Sequence, residues 1–440
     1  MEDLLGKRPA VERPRCQRHP GQLRPCHARC LPEDGDDGAI RNPSQAGLAC
    51  CHAYPAKRTD VTEARADCPA VTAVIPAYNM EAFLARALES AVDQTYPDLE
   101  VIVVDDGSTD RTRAIAERFA ERDSRVRVVS VANGGVAAAR NLGTRMASTP
   151  YVAYLDADDL WHCEKIARQV AAMAVHGHEG EWVGCYTLSR YIDAADRVLA
   201  NGASADARGD FFDRHLYRNH LGNGSCLLVR RDAALAVGGF DPDHVRRGLG
   251  GLEDYELQLK LLRRHKLEVV REFLVGYRVY HGQMSDDPVR MARARVMTIE
   301  SVLRDHDLEP HKRVRVLSHG RIMAAYREMR AGAWGAAAAE LAGSFLRAPG
   351  TTMGLIAELT ALRLSKLRKG YSAAARMRAE PPAVDFRELA PTDGVAARDD
   401  INDRPRARLA ALRVRSASQA PAGEAPADRT GSGRPAHSAR

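Results

Sequence analysis

Residues 70–285 of this 440-residue chain predict an α/β domain built on a doubly wound sheet. Short apolar runs of strand length alternate with stretches whose apolar residues recur at helical spacing. The runs are nearly continuous in their hydrophobicity, the texture of parallel strands covered on both faces. Two of them end abruptly in carboxylates, Asp105-Asp106 and Asp156-Ala157-Asp158-Asp159, which no core accepts unpaired. In open α/β sheets the carboxyl ends of strands line the ligand crevice, so both acidic ends are expected to converge there.

The elements follow in order. Residues 71–75 form a β-branched run halted by Pro76, and over residues 82–92 Phe83, Leu84, Ala87, Leu88 and Ala91 share one helical face. Tyr96, Pro97 and Asp98 make a turn into a strand over 99–104, broken only by Glu100. A helix over 110–120 turns Ile115 and Phe119 inward, and a strand covers 125–131. Asn133-Gly134-Gly135 then opens a helix over 136–146, which leads to the strand at Tyr151. The acids that end this strand read either as a cation-binding set or as a solvated turn in which an Asp caps a helix beginning near Leu160. A second acidic strand end on the same crevice favours the cation.

Composition narrows the function. A hydrophobic share of 45% supports a substantial core, and 64 basic against 58 acidic residues leave a net charge of only +6. With aromatics at 5%, neither a basic footprint nor a stacking platform for nucleic acid is present. No apolar run reaches the length of a membrane span; residues 331–345 come nearest and are interrupted by Glu340. The first 30 residues are charged and Pro-rich, without a signal-peptide core, so a cytoplasmic protein is expected. Nine cysteines, an odd count, favour free thiols over a disulfide framework. Residues 1–69 show no hydrophobic period and read as a disordered leader or as sequence upstream of the true start. Cys26, Cys30, Cys50, Cys51, His27 and His52 lie there in a spacing that matches no closed zinc pair.

The ligand class follows from absences as well. No Gly-x-Gly-x-x-Gly follows the first strand, which disfavours a dinucleotide fold, and no phosphate-binding loop of the Gly-x-x-x-x-Gly-Lys type occurs. Carboxylates cannot hold a diphosphate directly, but a hard divalent cation takes carboxylate and phosphate oxygens together. The expected ligand is a metal-bound nucleoside diphosphate.

Four segments, VTAVIPAYN, VIVVDDGSTDRT, NGGVAAARNLG and YLDADD, follow one another in this order between Val71 and Trp161. Together they resemble the signature of family 2 glycosyltransferases of the GT-A fold. The resemblance implies that Pro76, Ala77, Tyr78, Glu81 and Asp106 cradle the base and ribose of a nucleotide sugar, a UDP-sugar foremost. It places Arg140 near the nucleotide, with a helix-surface salt bridge as the competing role. It implies that Asp156 approaches the ribose or metal, that Asp158 ligates Mn²⁺ or Mg²⁺, and that Asp159 either caps the helix at Leu160 or faces the sugar.

Residues 182–285 are expected to form the acceptor half. Strands are predicted over 182–188 and 225–230, with residues 193–219 as acceptor loops and Asn223-Gly224-Ser225 as a turn. Glu253 and Asp254 open a helix over 255–264, where two acids in a first turn also serve the helix dipole. Family resemblance assigns Asp254 as general base and Glu253 as its supporting or acceptor-binding neighbour. It likens Tyr277-Arg278-Val279-Tyr280-His281 to a terminal segment in which Arg278 or His281 meets the diphosphate or metal, the alternative being a His satisfied in the core. Gln258 is followed by Leu-Lys-Leu-Leu, so the Gln-x-x-Arg-Trp motif of processive synthases is missing. An inverting enzyme that adds one sugar per encounter to a hydroxyl acceptor, lipid-linked or not, is therefore expected, in polysaccharide or glycoconjugate synthesis. The rival readings are a nucleotidyltransferase, which would release pyrophosphate, and a non-catalytic nucleotide-sugar scaffold.

Residues 286–371 have helical periodicity, and residues 320–349 resemble one tetratricopeptide-like helix pair. Residues 353–369 set Ile356, Leu359 and Leu367 against Arg363, Lys366, Arg368 and Lys369. This stretch is expected to pack on the catalytic domain, with peripheral contact at the inner face of an anionic membrane as the alternative. Residues 372–440 read as a disordered tail.

Overall fold

The structure is a computed structural model that describes residues 69–392 except 178–179, 203–206, 245–246, 248–249, 305 and 369–383. The expectations for the leader, its Cys and His residues, and residues 393–440 lie outside the described residues.

The first half runs β1 (Val71–Ala77), α1 (Leu84–Val92), β2 (Leu99–Asp105), α2 (Thr112–Arg122), β3 (Val126–Ser130), α3 (Val136–Met146) and β4 (Tyr151–Tyr154). The second half holds β5 (Leu160–Trp161), α4 (Lys165–Ala174), β6 (Trp182–Ile192), β7 (Val198–Asn201), α5 (Phe212–Tyr217), β8 (Leu227–Arg230), α6 (Arg231–Ala236), α7 (Glu253–Leu262) and β9 (Lys266–Arg278). The strands form one mixed sheet in the order β3-β2-β1-β4-β8-β6-β9-β5, with β7 against β6. β3, β2, β1 and β4 are parallel, and β8 joins β4 antiparallel.

The strand period explains the two layers. Val71, Ala73, Ile75 and Ala77 of β1 pack in one core with Leu84, Ala87, Leu88 and Ala91 of α1, whereas Val74 points the other way into a core that includes Ala137 of α3. Helix α3 lies so close to β1 that a Cβ on Gly143 would stand 2.3 Å from a methyl of Val74.

The structure corrects the sequence reading at several points. Pro76 does not stop β1, which continues to Ala77. Val74 O accepts from Leu155 N on the β4 side, and Pro76 has the same parity as Val74, so its missing N–H would face β4 beyond the last paired residue, Tyr154. No helix begins near Leu160; that residue is in β5, paired with β9, and α4 starts at Lys165. The expected acceptor excursion is largely architecture, since it contains β7 and α5 and buries Phe211, Phe212 and Leu216. Residues Gly224–Cys226 form a 3₁₀ turn ahead of β8 rather than its first residues.

Helices α8 (Pro288–Arg304), α9 (Pro310–Arg330), α10 (Trp334–Arg347) and α11 (Pro349–Arg368) follow. α8 packs on α7, α9 on α8 and α5, and α10 and α11 on α9. The expectation that residues 353–369 pack on the catalytic domain is thus corrected: the helix neighbours of α11 are α9 and α10. Part of the expected tail is also ordered: residues 384–392 return to the α/β domain, where Phe386 is fully buried.

Candidate active site

The loops after the parallel strands are laced together. Following β1, Asn79 N donates to Ser108 Oγ (3.1 Å) and Met80 N to Thr112 Oγ1 (2.6 Å), while Thr109 N donates back to Asn79 Oδ1 (2.9 Å). Glu81 belongs to this lacing: its Oε2 accepts from Arg111 N (3.1 Å) and Nε (3.0 Å). Both side chains of that pair are largely exposed, and the Arg111 hydrogen bonds hold the Glu81 carboxyl below its ordinary value. Pro76 is the penultimate residue of β1 and Ala77 the last, both buried, and Tyr78 beyond them is 45% exposed.

Asp106 ties the loop after β2 to the start of α3. Its Oδ1 and Oδ2 accept from Gly134 N and Gly135 N, each at 2.8 Å, and its carbonyl accepts from Asn133 Nδ2 (2.9 Å). Gly107, at φ 76, permits the approach, because a Cβ there would meet Asn133 N at 2.9 Å. The carboxylate expected at the nucleotide therefore also fixes the glycine loop from which Arg140 is carried.

Arg140 is the hinge of the site. It is buried, and its Nη2 donates to Asp156 Oδ1 (2.5 Å) while its Nη1 donates to Glu253 Oε1 (2.7 Å). The guanidinium lies over the Phe240 ring at 5.1 Å, and its buried Nε has no partner among the described residues. Burial would lower its affinity for a proton, but Asp156 and Glu253 outweigh burial and keep it charged. A surface salt bridge is excluded by this burial. Glu253 is 5% exposed; burial works against its charge, and Arg140 overcomes burial to hold it below the ordinary carboxylate range. The Oε2 of Glu253 also accepts from Gly251 N (3.1 Å), so both of its carboxylate oxygens have partners within the fold.

Asp254 stands beside this bridge without joining it. Its Oδ1 accepts from Tyr255 N (2.6 Å), and Gly224 separates it from Arg140: a Cβ on Gly224 would touch Arg140 Nη2 at 3.6 Å and Asp254 Cβ at 3.7 Å. Burial and the neighbouring Glu253 charge push the half-buried Asp254 carboxyl up to about 7, against the pull of Arg140.

In the acidic cluster the three aspartates separate. Asp156 takes the Arg140 bridge and remains partly exposed. Asp158 accepts from Tyr280 Oη at 3.0 Å, and burial together with the Asp156 charge pushes it up to about 6. Asp159 is sealed in: its Oδ2 accepts from Asn223 Nδ2 (2.5 Å) and Ser225 Oγ (2.6 Å), and its Oδ1 from Arg278 N (2.9 Å). Burial raises its proton affinity, and the nearby acid charges add to that. Asp159 therefore neither caps a helix nor faces the crevice.

Arg278 is corrected in the same way. It is 1% exposed, and its Nε donates to Asp158 O (2.6 Å), Nη1 to Asp193 O (2.6 Å) and Nη2 to Asp196 Oδ1 (2.5 Å), with the guanidinium over the Phe83 ring. These bonds make it a wall behind the acids instead of a diphosphate contact. His281 is no core histidine: its side chain is 84% exposed and its Nδ1 lies 2.9 Å from Asp286. Gln258 is buried against His215 (3.1 Å). Sequence reasoning missed Asn223, Ser225 and Tyr280; the first two were visible only as a turn.

The family model described as glycosyl transferase family 2 matches residues 72–235. The chain is 40% identical over 240 residues to the putative teichuronic acid biosynthesis glycosyltransferase TuaG of Bacillus subtilis (strain 168), a match covering 54% of this chain and 90% of TuaG. The chain belongs to glycosyl transferase family 2. This family 2 glycosyltransferase is also 44% identical over 185 residues to the uncharacterized glycosyltransferase EpsJ of the same organism, across 38% of this chain and 53% of EpsJ, so the match spans about half of that relative. Among solved structures, the mannosyltransferase PcManGT from Pyrobaculum calidifontis in complex with GDP-Man and Mn²⁺ aligns with a TM-score of 0.45 at 20% identity, over 75% of this chain and 89% of that one, a likeness too distant to carry an argument. Membership places the chain in a family of glycosyltransferases, with the GT-A-type mixed sheet, and gives the nucleotidyltransferase reading no support.

Among the described residues no group of three or more His, Cys, Asp or Glu side chains is arranged to hold a metal by itself. Asp158 and Asp156 nevertheless fit a divalent ion in this family 2 glycosyltransferase, because Mg²⁺-like cations are held by one or two carboxylates plus substrate phosphates. A carboxyl raised by a neighbouring acid, as Asp158 is, is also what a cation would relieve. No helix among the described residues is long and apolar enough to cross a membrane.

Proposed function

We propose that the protein transfers a single sugar from a nucleoside diphosphate sugar to a hydroxyl acceptor, with inversion at the anomeric carbon. The observation that carries this reading is Asp254, a carboxyl raised to about 7 and standing next to, but outside, the Asp156–Arg140–Glu253 bridge. A base works best with a pKa near the working pH. Asp254 takes the proton of the acceptor hydroxyl as that oxygen attacks the sugar, and a single displacement inverts the centre. Glu253 and Arg140 fix the first turn of α7, so that the base is held at one height above Asp156. Asp156 and Asp158 would hold Mn²⁺ or Mg²⁺, which would supply neutralising charge to the departing diphosphate. The end of β1, from Pro76 to Tyr78, supports a wall for the base and ribose of a UDP-sugar.

TuaG, by its description, serves teichuronic acid biosynthesis, which supports a cell-envelope polysaccharide or glycolipid as acceptor and work at the cytoplasmic membrane face. The test is a panel of nucleotide sugars scored by thermal shift with Mn²⁺, followed by product analysis with the best donor. A nucleoside diphosphate and a product of inverted anomeric configuration are expected. Retained configuration would refute the single displacement.

A further inference from the structure

Residues 384–392 form a strap across the back of the acidic loop. Val198 N donates to Val384 O (3.0 Å), Phe386 N to Asp196 O (3.0 Å) and Phe273 N to Pro391 O (2.8 Å), so the strap is bonded to β7, to the turn before it and to β9. Arg190 Nη2 adds a bond to Ala390 O (2.8 Å). Phe386 is fully buried in a small cluster with Leu160 and Ile192. Gly276 of β9 leaves room for it, since a Cβ there would lie 3.2 Å from the Phe386 ring.

Two contacts of Phe386, Leu160 and the Asp196 carbonyl, lead to the acids. Leu160 follows Asp159 directly in the chain. Asp196, left-handed at φ 68, accepts through Oδ1 from Arg278 Nη2 (2.5 Å) and through Oδ2 from Arg86 Nη1 (3.0 Å). Arg278 in turn holds the Asp158 carbonyl through Nε and the Asp159 carboxylate through its amide. A non-glycine residue in the left-handed region persists only when its surroundings over-determine it. The strap contributes to that constraint by clamping the Asp196 carbonyl and by packing a ring behind Leu160.

We propose that Phe386 is a positioning residue for the donor site, acting through Leu160 and the Asp196–Arg278 pair on Asp158. The inference rests on the reading of Asp158 as the carboxylate that holds the divalent ion. Loss of an outer partner that hydrogen-bonds a metal ligand typically changes metal affinity or activity by about 10–100-fold, and Phe386, whose ring packs one step further out behind Leu160, is expected at the lower end of that range. None of the strap bonds described above reaches α7, the helix that carries Asp254.

Full-length wild type, Phe386→Ala and Phe386→Leu are compared by hydrogen–deuterium exchange and by steady-state kinetics at varied Mn²⁺. In Phe386→Ala, exchange should accelerate in peptides spanning residues 156–161 and 192–198 while β1–β3 keep their protection. The half-saturating Mn²⁺ concentration should rise about tenfold with kcat within threefold, and Phe386→Leu should recover most of both effects. Unchanged exchange in those two peptides overturns the proposal, as does acceleration spread evenly over the domain or a kcat loss at unchanged Mn²⁺ requirement. If Phe386→Ala does not fold, Phe386→Leu decides on the same peptides. Wild-type protein that shows no metal-dependent donor turnover would instead sink the reading of Asp158, and the exchange pattern alone would then decide whether the strap orders the acidic loop.

Discussion

Two pairs of adjacent acids border the crevice, Asp158-Asp159 beyond β4 and Glu253-Asp254 at the start of α7, and in each pair one member is enclosed by several donors while the other stays partly open. Asp159 is enclosed by Asn223, Ser225 and the Arg278 amide, and Glu253 is clamped by Arg140. Asp158 and Asp254 beside them have raised proton affinity, at about 6 and about 7; burial raises Asp159 as well, whereas the Arg140 charge lowers Glu253. The enclosures differ in kind: neutral donors hold Asp159, whereas a full positive charge holds Glu253. One acid of each pair is tied into the fold more tightly than its neighbour, and chain adjacency therefore says little about shared chemistry.

The largest expected effect separates the two raised acids. Asp254→Asn should lower kcat by about 10²–10⁴, the range for a lost general base, with donor affinity within a few-fold of wild type by calorimetry. Asp158→Asn should weaken Mn²⁺-dependent donor binding itself. Equal loss of binding in both variants would erase the distinction between the pairs.

Next in size is the clamp. Arg140→Gln leaves Glu253 buried beside an uncompensated Asp156 and should cost about 3–5 kcal/mol in urea unfolding, the usual penalty for breaking a buried ion pair. Glu253 is held below its ordinary value, so its contribution is present at neutral pH and lost as pH falls through the folded pKa. The deficit of the variant should therefore shrink toward pH 4. A deficit independent of pH would mean that packing of Arg140 against Phe240, not charge, dominates.

The smallest effect is a pH profile. The acid limb of kcat/KM should rise through about pH 7, where Asp254 loses its proton. Because that pKa is raised on folding, the group favours the folded state at low pH, and this contribution is lost as pH rises from about 4 to about 7. Asp254→Asn should then unfold at a higher temperature than wild type at pH 8 and at a similar one near pH 4. An Asn variant no more stable than wild type at pH 8 would show the carboxyl to be unperturbed.

The first half was legible almost element by element, because its parallel strands are marked locally by apolar runs, three of the four with an acidic or glycine-rich end. α3 was placed at its observed bounds by the Asn133-Gly134-Gly135 loop that opens it. What the sequence could not reveal was partnership across the chain. Arg140 and Glu253 are 113 residues apart, and Asp159 and the Arg278 amide 119, and no periodicity couples such positions. Asn223 and Ser225 looked like turn formers because the residue types that cap and turn are also those that hold a buried carboxylate. Phe386 was unreadable for a simpler reason: a lone aromatic in a polar stretch has no period, and its partner surface belongs to another part of the fold.

The short length of β4 has a geometric consequence. β1 and β2 pair to Ala77 and Asp105, but β4 leaves β1 after Val74, three residues earlier. The sheet is thus unzipped along one seam, and Pro76, which could not have bonded across a closed seam, sits on its lip. The crevice is less a cavity carved between domains than a difference in length between two neighbouring strands, and lengthening β4 would close it from below.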